Sequence, residues 1–307
     1  MTMNETLDLP GSASELLPIR DVARLTGVNP VTLRAWERRY GLILPQRTPK
    51  GHRLYSHSQV EQIRQVLDWL ERGVAVGQVK GLLDAQRPAK PLEDTSWQER
   101  RNQLQSCIEE LAERALDDCF NRAMALYPAT TLCRHLLLPL LDALRRRWRQ
   151  PGAQLEQVFF LSWLRSKLGA RLYHCNRQHG GAPLLMLNLG EQPMEPDLWL
   201  CAWLASDAEC PVQVLDWPVP PPQLAVAVHQ LNPRAVLLCG DQPLGLPRLR
   251  QLLNDIACPR LLCGPAVAIH PDALQELGNL HVSGDPLEAL GQLHHLGLLG
   301  GGAPCAS

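Results

Sequence analysis

What this 307-residue sequence lacks narrows its function first. No apolar stretch reaches the roughly 18 uninterrupted residues that a membrane span needs, so no membrane partner is expected. The opening MTMNETLDLPGSASE lacks the basic-then-apolar order of a secretory signal. Ten cysteines are present without a single Cys-x-x-Cys pair. At this chain length they read as small buried hydrophobes in a reducing, cytoplasmic setting, not as a disulfide framework. His135, His174, His179, His229, His270 and the His294-His295 pair show no metal-ligand spacing. The glycines 300–302 precede no Lys-Ser/Thr and make no phosphate loop. No Ser-His-Asp or Cys-His arrangement can be assembled from spacing. An enzyme is therefore not expected, and no catalytic residue or metal ligand is assigned.

What is present is ample core and a lopsided charge. Apolar residues make up 45% and charged residues 20%, enough for two or three packed domains. The net charge of -1 conceals an asymmetry. Residues 1–90 hold 13 Lys+Arg against 9 Asp+Glu, residues 91–182 hold 13 against 10, and residues 183–307 hold 4 against 12. A basic front module suits a polyanion, and an acidic rear module avoids one.

Residues 1–17, small and polar, read as a flexible leader. Ile19, Val22, Ala23 and Leu25 have helical spacing, stopped by Thr26-Gly27. Asn29 then caps a second helix with Pro30 at its first position, which makes a helix-turn-helix. PQRTPKGHRLYS (45–56) is too rich in Pro and Gly for a helix and reads as a hairpin with Pro49, Lys50 and Gly51 at its tip. Ser58 with Glu61 suggests a capping box ahead of the Val60, Ile63, Leu67, Leu70 stripe. Pro88 and Pro91 mark a linker over 87–95. Residues 96–180 read as about four bundled helices broken at Pro128 and Pro151-Gly152. From 182 to 298, short apolar runs (184–189, 212–216, 235–239, 260–263, 281–283) alternate with amphipathic stretches, which implies a parallel sheet. Residues 299–307 read as a flexible tail. The expected class is thus α/β: a winged helix-turn-helix over 18–86, a helical bundle, and a doubly wound, flavodoxin-like domain.

The densest chemical signal is Leu33-Arg34-Ala35-Trp36-Glu37-Arg38-Arg39-Tyr40-Gly41-Leu42, followed by Pro45, Arg47-Thr48, Gly51-His52-Arg53 and Tyr55. An Arg-packed second helix followed by a basic hairpin fits double-stranded DNA: the helix enters the major groove and the hairpin, with Lys50 at its tip, tracks phosphates as a wing. Guanidinium planes meet guanine edges or phosphates in bidentate fashion. Tyr40 and Tyr55 offer hydroxyls to phosphate.

This spacing resembles the MerR family of transcription regulators over residues 18–85. The resemblance implies a homo-oligomer, at least a dimer, on a promoter pseudo-palindrome. Thr32 and Arg34 would face bases, while Arg38, Arg39, Arg47, Thr48, His52, Arg53 and Tyr55 would hold the backbone. It further implies activation by promoter distortion, which lets RNA polymerase engage an over-long spacer, or else repression by occlusion. Pro88 and Pro91 interrupt the region where short members of the family place a dimerisation helix, so self-association is expected in the bundle or the C-terminal domain.

The remaining layout is similar to the cobalamin-binding, light- and ligand-responsive branch of that family, and to curli and biofilm regulators. In the cobalamin binders a Glu-x-His-x-x-Gly loop supplies the cobalt ligand. Here Pro193 stands in the His position and Pro196 in the Gly position, and proline cannot ligate a metal. Trp148 is retained, but no Glu-His pair follows it near Glu156-Gln157. The nucleotide-tail elements become Cys239-Gly240-Asp241 and Cys263-Gly264-Pro265. No cofactor is expected. The crevice at the sheet's carboxyl end would be rimmed by Glu191, Asp216, Trp217, Asp241, Gly264 and Asp285, with no Lys or Arg in those loops. Arg145, Arg146, Arg147 and Arg149 read as a solvated face, with contact to flanking DNA as the alternative. Two other readings remain open at this point: a small-ligand-responsive sensor, and an oligomerisation or interaction adaptor.

Overall fold

The computed structural model describes residues 16–85, 95–190, 194–240, 246–254, 256–268, 274 and 277–299. The chain divides into two compact units: residues up to Asp94 with Ala125–Pro128, and Thr95–Met124 with Ala129 onward. Most of the leader, the linker residues 86–94 and the last eight residues lie outside the described residues.

The first unit begins with a strand that periodicity did not reveal. β1 (Leu17–Pro18) pairs antiparallel with β3 (Arg53–Tyr55), and β3 pairs with β2 (Gln46–Arg47). Leu17 thus belongs to a sheet, not to a leader; a two-residue strand is too short to show alternation. α1 (Ile19–Thr26) ends at Gly27 in the left-handed region. The side chain of Asn29 accepts from the Val31 amide and starts α2 (Pro30–Ala35), which continues into a π-helical turn, Trp36–Tyr40. α3 (His57–Glu71) and α4 (Val76–Ala85) complete the unit. The cap of α3 is Ser56, not Ser58. The Ser56 hydroxyl accepts from the Gln59 amide and Gln59 accepts from the Ser56 amide. That reciprocal box takes the first turn two residues earlier than the Ser58/Glu61 pair would. Val22, Leu33, Trp36, Ile43, Ile63 and Leu70 are buried at the centre.

In the second unit, α5 (Thr95–Glu109) and α6 (Glu113–Met124) are followed by α7 (Ala129–Leu132), a π-helical segment Cys133–Leu137 and α8 (Leu138–Arg147), which form one continuous rod. α9 (Gln154–Asn176) closes the helical layer. The last domain runs β4 (Leu184–Asn188), α10 (Pro196–Asp207), β5 (Val212–Leu215), α11 (Pro221–Leu231), β6 (Ala235–Cys239), α12 (Leu246–Asn254), β7 (Arg260–Cys263), β8 (Leu280–Ser283) and α13 (Pro286–His295). Its strands are all parallel in the order β5-β4-β6-β7-β8. This doubly wound, flavodoxin-like sheet has its switch point at β4 and β6. Both β4 and β6 are buried along their whole length, which is why they read as unbroken apolar runs.

Candidate nucleic-acid interface

The recognition element is built outward from Trp36. Its ring is fully buried and its indole N–H donates to the Leu126 carbonyl at 2.8 Å, so the helix face carrying Leu33, Ala35 and Trp36 points inward. The opposite face presents Arg34, Arg38 and Arg39 to solvent. Gly41 ends the π turn at φ 58, where a side chain would be strained, and releases the chain into the wing.

Between helix and wing stands Glu37. Its carboxylate accepts from Arg47 at 2.7 Å and from Arg53, in a part-buried ion pair. Burial raises the Glu37 pKa, but Arg53 and Arg47 outweigh it and hold the carboxyl below its ordinary 4.5. One acid thus fastens both strands of the hairpin to the helix. The tip is closed by the Thr48 hydroxyl, which accepts from the His52 amide, and by a Gly51 amide bond to the Thr48 carbonyl.

The residues singled out from sequence divide accordingly. Arg34, Arg38, Arg39, Arg47, Lys50 and His52 are exposed, and Tyr40, Thr48 and Arg53 are half-buried. Tyr40 lays its ring against Gly77. Thr32 and Tyr55 are buried at 2% and 1% exposure, and the Tyr55 hydroxyl is itself shielded. Tyr55 therefore offers no hydroxyl to a phosphate from this position; its ring is core. The basic run around Glu37 hides its role in the sequence; an acid there, ten residues before Arg47, is the signal that points to it.

Residues 17–86 match the MerR HTH family regulatory protein family. The chain is 32% identical over 235 residues to the HTH-type transcriptional regulator MlrA of Escherichia coli, covering 74% of this chain and 89% of that protein. It is 34% identical over 203 residues to MlrA of Salmonella typhimurium, covering 65% and 79%. It is 27% identical over 289 residues to the HTH-type transcriptional repressor CarH of Myxococcus xanthus, covering 86% and 93%.

The chain belongs to the MerR family.

It is a transcription regulator with a DNA-binding helix-turn-helix head. No helix among the described residues of this MerR protein is long and apolar enough to cross a membrane.

The acidic crevice of the C-terminal domain differs from the sequence reading. Arg145 on α8 reaches Asp197 at 2.9 Å and Glu195 at 3.7 Å, and Arg165 on α9 pairs with Asp216. The basic run is thus a solvated face only in part: Arg146 and Arg149 are exposed, while Arg147 also pairs, with Glu156 and Glu109. Basic partners reach the crevice from the bundle and not from its own loops, which spacing could not show. Asp285 is spent capping α13 through the Leu287 and Glu288 amides, while Trp217 is 65% exposed. Glu191, Pro193 and Asp241 lie outside the described residues. Burial raises the Asp197 pKa to about 6, against the pull of Arg145. At the carboxyl ends of β6 and β7, Cys263 lies 3.7 Å from Cys201 of α10, and a Cβ on Gly264 would meet the Gly240 carbonyl at 3.0 Å. α10 itself is buried from Pro196 to Ser206. Trp148 packs on Phe160, which stacks on Trp163.

Proposed function

We propose that this MerR regulator acts in the cytoplasm as a homodimer or larger homo-oligomer on a pseudo-palindromic promoter. Arg34 reads a base edge, and Arg38, Arg39, Lys50 and His52 hold phosphates. Activation by distorting the promoter, with RNA polymerase engaged as a consequence, is the first reading, and repression by occlusion the second. The observation that carries this is the Glu37 lock: it fixes the wing to the recognition helix while the cations of both elements face solvent. A rigid pair of basic elements can grip DNA along a bent path and offset the few kcal/mol that bending costs.

Gel shifts across a salt series test the reading. Arg34→Ala should relax preference at one base position. Lys50→Ala should weaken all duplexes alike and reduce the salt slope by about 1. Equal binding of promoter and random duplex by the unaltered protein would overturn it. Permanganate reactivity at the promoter centre, present for distortion and absent for occlusion, separates the two modes.

The C-terminal domain is proposed to work without His-ligated cobalamin. What supports this reading is that Pro193 stands where the cobalt-ligating His would be, and that Cys239 and Cys263 stand in the two elements that would hold the nucleotide tail. A cobalamin absorption spectrum retained after gel filtration, in light or dark, would overturn this.

A further inference from the structure

Cys239 and Cys263 are the last residues of β6 and β7, and they pair in register. Their row across the sheet continues to Asn188 of β4 on one side and Ser283 of β8 on the other. Registered residues of parallel strands point to the same face, so the row ends the sheet as a polar strip under α10. Cys201 of α10 descends onto it. The three Sγ atoms lie within 4.8 Å of one another, with Cys201 and Cys263 3.7 Å apart, and all three residues are buried.

We propose that Cys201, Cys239 and Cys263 form a trithiolate site for a single thiophilic d10 cation. Three sulfurs around one ion at the ordinary Zn–S length of about 2.3 Å stand roughly 3.8–4.0 Å apart, and this cluster needs shifts of less than 1 Å to reach that spacing. The donors are all soft, which selects Zn(II) or Cu(I) over Mg(II) or Ca(II). A second observation points the same way. Asp197 Oδ1 and Ser283 Oγ are buried without a hydrogen-bond partner, and a Cβ on Gly264, next to Cys263, would lie 3.7 Å from the other oxygen of Asp197. Buried polar atoms normally find partners, and oxygens left over beside three thiols are what a coordinated cation leaves room for. Loading the ion onto three thiols displaces three protons, leaving a divalent complex with one net negative charge and a monovalent one with two. Arg145, held 2.9 Å from Asp197, supplies nearby positive charge. The site does not depend on the DNA-binding reading, because its test never uses DNA.

The full chain, reduced and metal-free, is titrated under argon with Zn(II), with Co(II) as a coloured stand-in, and separately with Cu(I). The expected result is one ion per chain, with sulfur-to-cobalt charge-transfer absorption. Cys201→Ser, Cys239→Ser and Cys263→Ser should each weaken binding at least ~100-fold, while Cys258→Ser, outside the cluster, leaves it unchanged. Uptake of Cu(I) alone supports the site and assigns it a monovalent ion; uptake of Zn(II) assigns a divalent one. Should a serine variant fail to fold, thiol alkylation of the unaltered protein in partly denaturing urea, with and without the ion, followed by peptide mapping gives the answer: adding the ion slows labelling of these three thiols and of no others. No uptake by the reduced chain, uptake that survives all three substitutions, or a Cys201–Cys263 disulfide forming in air without any metal uptake would overturn the proposal.

Discussion

The indole N–H of Trp36 donates to the main-chain carbonyl of Leu126 at 2.8 Å, joining residues that stand ninety apart in sequence. Tyr127 adds a second tie, accepting from the Val76 amide at 3.4 Å. The winged head is therefore not complete at α4; the short segment Ala125–Pro128 is part of it.

Trp36→Phe keeps a six-membered aromatic ring but removes the donor together with the five-membered half of the buried indole. The Leu126 carbonyl is then left buried and unpaired, at a cost of about 1–2 kcal/mol. Amide hydrogen exchange in α2 and around residue 126 should accelerate together. Faster exchange in α2 with no change at Leu126 and Tyr127 would show that the bond contributes nothing.

Glu37→Gln is expected to loosen the wing without removing any cation. Affinity should fall for every duplex, while the salt slope stays the same or steepens, because Arg47 and Arg53 are freed. The pH response follows from the same carboxyl. Its folded pKa lies below the unfolded value, so its stabilisation is complete above about 4.5 and disappears as pH falls through the lower folded value. Wild-type and variant heads should therefore converge in stability in strong acid and diverge near neutrality. A constant difference from pH 2 to 7 would contradict the assignment.

Arg145→Ala leaves Asp197 buried at 2% exposure without its main counter-charge. Breaking a buried pair from one side costs about 3 kcal/mol, and urea unfolding of the second unit should show it. Adding Asp197→Asn to that variant should recover much of the loss, because a neutral amide tolerates burial better. A double variant no more stable than the single one would mean that Arg145 acts by packing alone.

Gly264→Ala tests the crevice floor. At φ 110, with the Gly240 carbonyl 3.0 Å from the added methyl, the backbone has to shift. A loss of roughly 1–3 kcal/mol is expected, with DNA affinity of the folded fraction unchanged.

Much of this was readable from the chain because it rests on local chemistry. Asn29-Pro30 and Gly27 punctuate the helix-turn-helix through backbone geometry that few residues satisfy. The strands of the C-terminal sheet announce themselves because both faces are covered, as at Leu184–Asn188 and Ala235–Cys239. What stayed hidden depends on partners far away in sequence. Ser56 and Ser58 each head a plausible capping box, and only the packed hairpin decides between them. Arg145 looks solvated until the sheet domain delivers Asp197. Cys201, Cys239 and Cys263 sit 38 and 24 positions apart, and strand register brings the last two side by side.

β1 has a practical consequence. Because Leu17 pairs with Tyr55 and Pro18 with Leu54 in an antiparallel ladder, Leu16 lies toward the Ser56 end of β3, away from the Pro49–Gly51 tip. A chain shortened to begin at Leu16 keeps the third strand beside the hairpin, and one that begins at Ile19 strips it away and bares an edge of β3. Truncated preparations are thus best compared at those two starts before any residue of the wing is credited with a contact.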